Sequence, residues 1–198
     1  MANCIVLASG NGSNFQAVAD RIKQTRHKIV CLVTNKKSAY ALTRAHNLGI
    51  PTHVVAYQGR TKEEAEEEIL DLAEKYGAEL MVLAGFMKIL TGRLIDGFYG
   101  KIINIHPALL PKYPGAHAIE ESYRSGDKEL GITIHQVDYG VDTGPVLLQK
   151  AFTRCGTESK EKIEEQIHDL EHRWYPEVVE NLLNEIDKTR RSRENQEF

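Results

Sequence analysis

The segment Ile103-Asn104-Ile105-His106-Pro107 carries two polar side chains at the end of a predicted strand. Side chains two residues apart in a strand point to the same face of a sheet. The carboxyl ends of strands are also where ligands bind to open parallel sheets. We therefore predict that Asn104 and His106 face a ligand. The alternative is structural, with neighbouring loops satisfying both side chains.

Two aspartates, Asp138 and Asp142, lie in the glycine-rich segment that runs to Pro145. Aspartates beside glycines usually stabilise turns, and that interpretation stays open here. A carboxylate close to an imidazole also raises the imidazole pKa, because its negative charge favours the protonated ring. One of the two aspartates is therefore a candidate partner of His106.

The segment Ser9-Gly10-Asn11-Gly12-Ser13-Asn14 follows the first predicted strand and precedes a predicted helix. Small residues bring backbone N–H groups and a helix N-terminus close to an anion, as a phosphate site requires. Ser13 and Gln16 have the spacing of a capping box for that helix. Phe15 replaces the third glycine of the dinucleotide fingerprint, and no Walker lysine follows. A mononucleotide phosphate is therefore the favoured ligand, with a simple tight turn as the alternative.

The helical segment from His168 to His172 contains two histidines four residues apart, which could share a face. The order is not His-Glu-x-x-His and no third ligand is apparent, so we predict no metal site. Glu171 lies on the apolar side of the same predicted helix, three residues before Trp174. A carboxylate there needs a partner, either a ligand amine or a basic side chain.

Short β-branched runs alternate with segments of helical periodicity through the first half of the chain, which predicts an α/β fold with a doubly wound, mostly parallel sheet. Two late strands joined by a Gly-rich loop are expected to pair antiparallel. A long C-terminal helix follows, bent or interrupted near Pro176, and the charged tail 188–198 is expected to fray. The predicted strands are 3–8, 28–34, 52–56, 79–84, 102–105, 131–138 and 146–153, and the predicted helices are 13–24, 39–48, 62–76 and 159 onward.

The composition points away from several classes of protein. The formal net charge is −3, with 25 basic and 28 acidic residues. A nucleic-acid or membrane-surface binder normally has a basic excess, so we expect neither partner. The apolar runs are too short to cross a membrane. Cys4, Cys31 and Cys155 form no disulfide or zinc pattern, so a reducing cytoplasmic location is expected.

Several motifs, in this order and spacing, resemble those of the glycinamide ribonucleotide formyltransferase family. The resemblance covers residues 5–176 approximately and includes the Ser9–Asn14 segment. Its other specific parts are Leu83-Ala84-Gly85-Phe86-Met87, Asn104-Ile105-His106-Pro107-Ala108-Leu109-Leu110-Pro111, Lys112-Tyr113-Pro114-Gly115 and Asp142-Thr143-Gly144-Pro145. The resemblance implies formyl transfer from 10-formyltetrahydrofolate to the amine of 5-phosphoribosyl-glycinamide in purine (IMP) synthesis, without a metal.

The resemblance also implies the catalytic and ribonucleotide-binding residues. Asn104 and His106 would stabilise the formyl oxyanion, and Asp142 would keep His106 charged. The phosphate would bind to Gly12, Ser13 and Asn14, and Glu171 would lie near the glycinamide end.

A larger set is implied for the folate. It consists of Lys62, Met87, Lys88, Ile89, Leu90, Asn104, Asp138, Tyr139, Gly140, Val141 and Asp142. Lys62 and Lys88 stand where relatives often carry arginine, and lysine lacks the planar fork of that side chain.

The expected organisation is one Rossmann-like formyltransferase domain, residues 1–187, with a phosphate-binding half (1–100) and a folate and catalytic half (101–187). The expected partners are the two small-molecule substrates, and the protein would be a monomer or a homodimer. One rival interpretation is a formyltetrahydrofolate hydrolase or another formyltransferase on the same scaffold. A non-catalytic folate or nucleotide sensor is the other, although it would not need the complete catalytic set.

Overall fold

A seven-stranded sheet is the centre of the computed structural model, which describes residues 1–194. The strands are β1 (Asn3–Leu7), β2 (Lys28–Thr34), β3 (Thr52–Val54), β4 (Leu80–Leu83), β5 (Ile102–His106), β6 (Glu129–Gln136) and β7 (Val146–Thr153). The helices of this part of the chain are α1 (Ser13–Ile22), α2 (Ala41–Asn47), α3 (Lys62–Lys75), α4 (Gly92–Gly97), α5 (Ala118–Arg124) and α6 (Lys160–Glu194). None of the helices described here has a stretch long and apolar enough to span a bilayer.

The strands lie in the order β3-β2-β1-β4-β5-β6-β7. Strands β1 to β5 pair in parallel, whereas β6 is antiparallel to both β5 and β7. The predicted α/β class, the mostly parallel sheet and the late antiparallel pair are therefore confirmed. The order reverses between β1 and β4, and such a switch point opens a crevice at the carboxyl ends of the strands.

Successive side chains of each strand point to opposite faces of the sheet, so the core forms two layers. In β1, Val6 packs in the layer that contains α1 and α6, whereas Ile5 packs in the layer with α3 and α4. Burying one such aliphatic side chain stabilises the fold by roughly 1.5 to 3 kcal/mol. In β5, Ile105 faces the first layer. Asn104 and His106 therefore share the opposite face, because successive side chains alternate.

Helix α1 begins differently from the prediction. Gly12 is its N-cap, with φ 76°, and Ser13 is the first helical residue, without a side-chain cap. The predicted capping box at Ser13 is therefore wrong. A Cβ at position 12 would lie 2.7 Å from the Cβ of Ala41, so glycine is required where the loop approaches α2. A capping box forms instead at the start of α3, between Thr61 and Glu64.

Helix α6 continues through Pro176, so the predicted interruption is wrong. The proline removes one helical hydrogen bond, and packing on the sheet offsets that loss. Tyr175 is fully buried, and its hydroxyl donates to the carbonyl of Leu83 at 2.8 Å. The anchored side chain holds both parts of the helix against the sheet.

The predicted fraying of the tail is also corrected over residues 188–194, which are helical. Arg190 lies 2.9 Å from Asp187 and 3.3 Å from Glu79, so ion pairs attach this turn to the body of the protein. The remainder of that prediction, 195–198, lies outside the described residues.

Candidate active site

Pairing between β5 and β6 forms the first part of the site. Asn104 lies opposite His135 in this antiparallel pair, and His106 lies opposite Thr133. Opposite residues place their side chains next to each other on one face of the sheet. Asn104 Nδ2 is consequently 3.4 Å from His135 Nε2. The predicted pair therefore shares its face with a second histidine.

The imidazole of His106 is buried, and both of its nitrogens face oxygen atoms. Nε2 lies 2.7 Å from the main-chain carbonyl of Tyr113, which can only accept. Nδ1 lies 3.3 Å from Oδ2 of Asp142. Because acceptors flank both nitrogens, only the protonated ring can donate to the two of them at once.

Two opposing influences act on the pKa of His106. Burial is the larger, because desolvation disfavours the charged ring and lowers the pKa below its usual 6.5. The Asp142 carboxylate and the Tyr113 carbonyl raise it, and Glu171 adds a smaller effect in the same direction. Asp142 therefore acts in the predicted direction, but burial outweighs it in the free protein.

Asp142 is fixed by three neighbours. Its backbone has φ 55°, and Oδ2 accepts a hydrogen bond of 2.8 Å from the N–H of Gly115 in addition to facing His106. Oδ1 lies 3.5 Å from Nε2 of His135. The contact with His135 is the main cause that lowers the pKa of Asp142 to about 2. The carboxylate is therefore ionised at neutral pH.

His135 also belongs to the site and is not among the predicted residues. It is buried, and its Nδ1 donates to the carbonyl of Gln136 at 2.8 Å, which leaves Nε2 facing Asn104 and Asp142. The signal was present in the sequence, because Thr133 and His135 are two polar residues two apart in an apolar strand. The same pattern singled out the polar pair in β5.

A cavity of about 430 Å³ lies at the carboxyl ends of β4 and β5, within the size range of small-molecule sites. Asn104, His106 and His135 line it together with Asp142. Most of the predicted folate residues line the same cavity, namely Met87, Lys88, Ile89, Leu90, Asn104, Asp138, Gly140, Val141 and Asp142. Met87 and Ile89 are 65% and 61% exposed, so they present apolar surface that a planar ligand could cover.

Two predicted folate residues do not line this cavity. Tyr139 is exposed, and its hydroxyl donates to Asp96. Lys62 is the exposed first residue of α3. Lys88 does line the cavity, and its ammonium lies 5.0 Å from the ring centroid of Tyr57 in a cation–π contact.

The predicted ribonucleotide-binding residues meet where α1 begins against α6. Asn14 Nδ2 donates to Oε2 of Glu171 at 3.0 Å, next to the turn that Gly12 and Ser13 form. Asn14 Oδ1 is buried and has no hydrogen-bond partner among residues 1–194. The buried Glu171 also accepts from Nδ1 of His168 at 2.8 Å, which raises the pKa of His168. An unpaired buried acceptor at this place is available to a ligand donor.

Ser9 connects the two loops at the switch point. Its hydroxyl donates to Oδ1 of Asn35 at 2.6 Å and accepts from the N–H of Met87 at 2.8 Å. Its own N–H donates to the carbonyl of Gly85. The predicted phosphate loop and the predicted folate loop are therefore held together by one buried side chain.

The two histidines of α6 lie side by side, one helical turn apart. Their rings, His168 and His172, stack with centroids 6.1 Å apart. Over the described range, no group of three or more His, Cys, Asp or Glu side chains is arranged to hold a metal ion.

Comparison with known proteins places this geometry in a family. The formyl transferase family model matches residues 2–179. The chain is 41% identical over 186 residues to phosphoribosylglycinamide formyltransferase of Bacillus subtilis, covering 92% of this chain and 95% of that protein. It is 38% identical over 180 residues to the Escherichia coli protein of the same name, covering 89% of this chain and 85% of the relative.

Solved structures agree with the sequence comparison. The crystal structure of glycinamide ribonucleotide transformylase 1 from Geobacillus kaustophilus superimposes with a TM-score of 0.89 at 39% identity, covering 92% of this chain and 99% of that chain. Phosphoribosylglycinamide formyltransferase from Streptococcus pneumoniae gives a TM-score of 0.87 at 39% identity, with the same two coverages. The sheet, the loop motifs and the similarity to these proteins along most of the chain agree. This chain therefore belongs to the formyl transferase family and groups with the phosphoribosylglycinamide formyltransferases of that family.

Proposed function

We propose that the protein transfers the formyl group of 10-formyltetrahydrofolate to the amine of 5-phosphoribosyl-glycinamide. The observation that carries the proposal is the convergence of Asn104, His106 and Asp142 on one cavity. Glu171, the residue assigned to the glycinamide end, is close enough to influence the pKa of His106. The acceptor amine and the formyl donor would therefore meet at His106.

Each substrate would occupy a different part of the site. The folate ring system would occupy the cavity between the Met87–Leu90 loop and the Asp138–Asp142 loop. The phosphate would bind at the start of α1, where backbone N–H groups of Gly12, Ser13 and Asn14 and the helix dipole favour an anion. These assignments rest on the matching motifs, on the lining of the cavity and on the contact between Asn14 and Glu171.

The chemistry is a direct displacement. The neutral amine attacks the formyl carbon, forming a carbon–nitrogen bond while an electron pair moves onto the formyl oxygen. Asn104 would donate a hydrogen bond to that oxyanion, and a protonated His106 would stabilise it through its positive charge, because the two N–H groups of the ring face Tyr113 and Asp142. The bond from the formyl carbon to the folate nitrogen then breaks as the electron pair returns. The amine proton would reach the departing folate nitrogen through a water molecule or through His106.

Asp142 would supply the charge that the reaction needs beside His106. In the free protein, burial lowers the pKa of His106 and so disfavours the protonated ring. Negative charge that develops on the formyl oxygen favours the protonated ring further, in the same direction as Asp142 and the Tyr113 carbonyl. The imidazolium would therefore form when it is needed, between oxygen atoms that are already in place.

The experiment that tests the proposal follows the formyl carbon. The protein is mixed with 10-formyltetrahydrofolate labelled with ¹³C in the formyl group, with and without 5-phosphoribosyl-glycinamide. We expect the label in the N-formyl product, and only when the acceptor is present. Label recovered as formate without the acceptor would identify a hydrolase, and no movement of label would favour a sensor.

We further infer small-molecule partners rather than nucleic acid, a monomer or homodimer, and a reducing cytoplasmic compartment. The last inference is supported by the three cysteines, which are all free and include the exposed Cys155. Cys4 and Cys31 are buried and free, and burial raises the pKa of each to about 12, so they stay neutral and unreactive.

A further inference from the structure

The backbone of Tyr113 is unusual. It has φ 56°, and Tyr113 and Asp142 are the two non-glycine residues of the described chain with positive φ. A bulky side chain is disfavoured in this region, and a residue before proline is normally extended. Pro114 follows directly. A conformation of this kind persists only when surrounding contacts hold it, and it occurs most often at functional sites.

The side chain of Tyr113 supplies such a contact. Its hydroxyl donates to Oδ2 of Asp127 at 2.7 Å, and the ammonium of Lys112 lies 2.7 Å from the same oxygen. Asp127 is itself fixed in the turn after α5, where its N–H donates to Oγ of Ser125 at 3.0 Å. The hydrogen bonds from Lys112 and Tyr113 hold the pKa of Asp127 below its usual range, so it is ionised.

This anchored segment supports both sides of the catalytic imidazole. The carbonyl of Tyr113 lies 2.7 Å from Nε2 of His106, and two residues later the N–H of Gly115 donates to Asp142 at 2.8 Å. A carbonyl oxygen only accepts, so its contact with Nε2 requires a proton on that nitrogen. Nδ1 is the ring nitrogen that lies beside Asp142. A small displacement of Tyr113 would alter the orientation and the protonation of the ring together.

We propose that Asp127 is a positioning residue, which holds the Tyr113 hydroxyl and thereby keeps the Tyr113 carbonyl against Nε2 of His106. The consequence for catalysis rests on the proposed formyl transfer. The geometric part does not, because it concerns the free protein. Other groups that influence His106 are Asp142, His135 and Glu171, and none of them bonds to Asp127.

The test is a double-mutant cycle of Tyr113→Phe and Asp127→Ala. Either change breaks the same hydrogen bond, so we expect each to lower kcat roughly threefold to tenfold, the usual effect of one hydrogen bond. The double variant should be no slower than the slower single variant, because the interaction is already lost. KM for both substrates should change less than kcat, since neither side chain lines the cavity.

A second readout does not depend on activity. The titration of His106 in the free protein, followed by NMR, should move to lower pH in both single variants, because the Tyr113 carbonyl raises its pKa. Lys112→Gln removes the other bond to the same carboxylate oxygen and should leave the titration unchanged. Asp127→Asn keeps an acceptor for the Tyr113 hydroxyl and should restore most of the wild-type behaviour.

These measurements separate the two proposals. If wild type transfers no formyl group, the proposed function fails, while the titrations still decide the role of Asp127. Titrations identical to wild type in Tyr113→Phe and Asp127→Ala would overturn the positioning role. So would an equal shift in Lys112→Gln, or effects that multiply in the double variant.

Discussion

Oδ2 of Asp142 lies 3.3 Å from Nδ1 of His106, and this contact works against the burial of the ring. Burial lowers the pKa of His106 and so disfavours the protonated imidazole, whereas the carboxylate raises this pKa. The balance suits a group that must gain charge during the reaction and lose it afterwards. The following predictions depend on this balance and on the groups that surround it.

Asp142→Asn should lower the pKa of His106 further. Wild-type His106 is expected to titrate below pH 6.5, because desolvation is the largest influence on it. Removing the carboxylate removes the main influence that raises the pKa. An NMR titration of the free protein measures both values, with Asp71→Asn, an exposed change on α3, as the control. An unchanged or higher midpoint in Asp142→Asn would contradict the assigned contact.

Asp142 should also make stability depend on pH under acidic conditions. Its pKa is about 2 in the folded protein against 3.8 ordinarily, so the carboxylate stabilises the fold above pH 4. This contribution is lost as pH falls from 4 through 2, and its size is about 2 kcal/mol. We expect the difference in unfolding free energy between wild type and Asp142→Asn to shrink over that interval. A difference independent of pH would show that Asp142 is not specially stabilised in its ionised form.

Asn104→Ala should lower kcat by about 100-fold to 1000-fold, the effect of removing one oxyanion donor. KM for the ribonucleotide should change little, because the phosphate residues lie at the start of α1. Steady-state kinetics with both substrates measure the two constants, and Asn47→Ala, an exposed change on α2, is the control. A higher KM with an unchanged kcat would assign Asn104 to binding instead of catalysis.

The sheet and half of the site follow from the sequence because they depend on local patterns. Alternating apolar residues and short β-branched runs predict the strands, and two polar residues at the end of β5 predict Asn104 and His106. Helices α4 and α5, of six and seven residues, are not predicted, although the equally short α2 is. Their existence depends on packing against the rest of the chain.

The other half of the site depends on contacts between distant positions. His135 reaches Asn104 through strand register, which a single strand does not reveal. Tyr113 contributes its main-chain carbonyl. Every residue type has this group, so the sequence cannot single it out. Burial lowers the pKa of His106, and this effect is larger than that of the Asp142 carboxylate, which the sequence does suggest. The N-cap of α1 depends on the space between Gly12 and Ala41, which are far apart in the chain.

Gly12→Ala should weaken ribonucleotide binding and destabilise the fold. Its φ of 76° costs roughly 1 to 2 kcal/mol for any residue with a Cβ. The added carbon would also lie 2.7 Å from the Cβ of Ala41, so the phosphate loop must shift. We expect a higher KM for the ribonucleotide and a lower Tm. Gly10→Ala is the matched control, because its Cβ would meet no atom within 4 Å. Equal effects of the two changes would exclude this steric explanation.

The most direct test of the catalytic group is the absorbance change on deformylation of a 10-formyl folate analogue, measured for wild type and Asp142→Asn. We predict that wild type deformylates the analogue only when 5-phosphoribosyl-glycinamide is present, and that Asp142→Asn loses most of this rate while remaining folded. Full activity in Asp142→Asn would contradict the account, and so would deformylation by wild type at a rate that does not depend on the ribonucleotide.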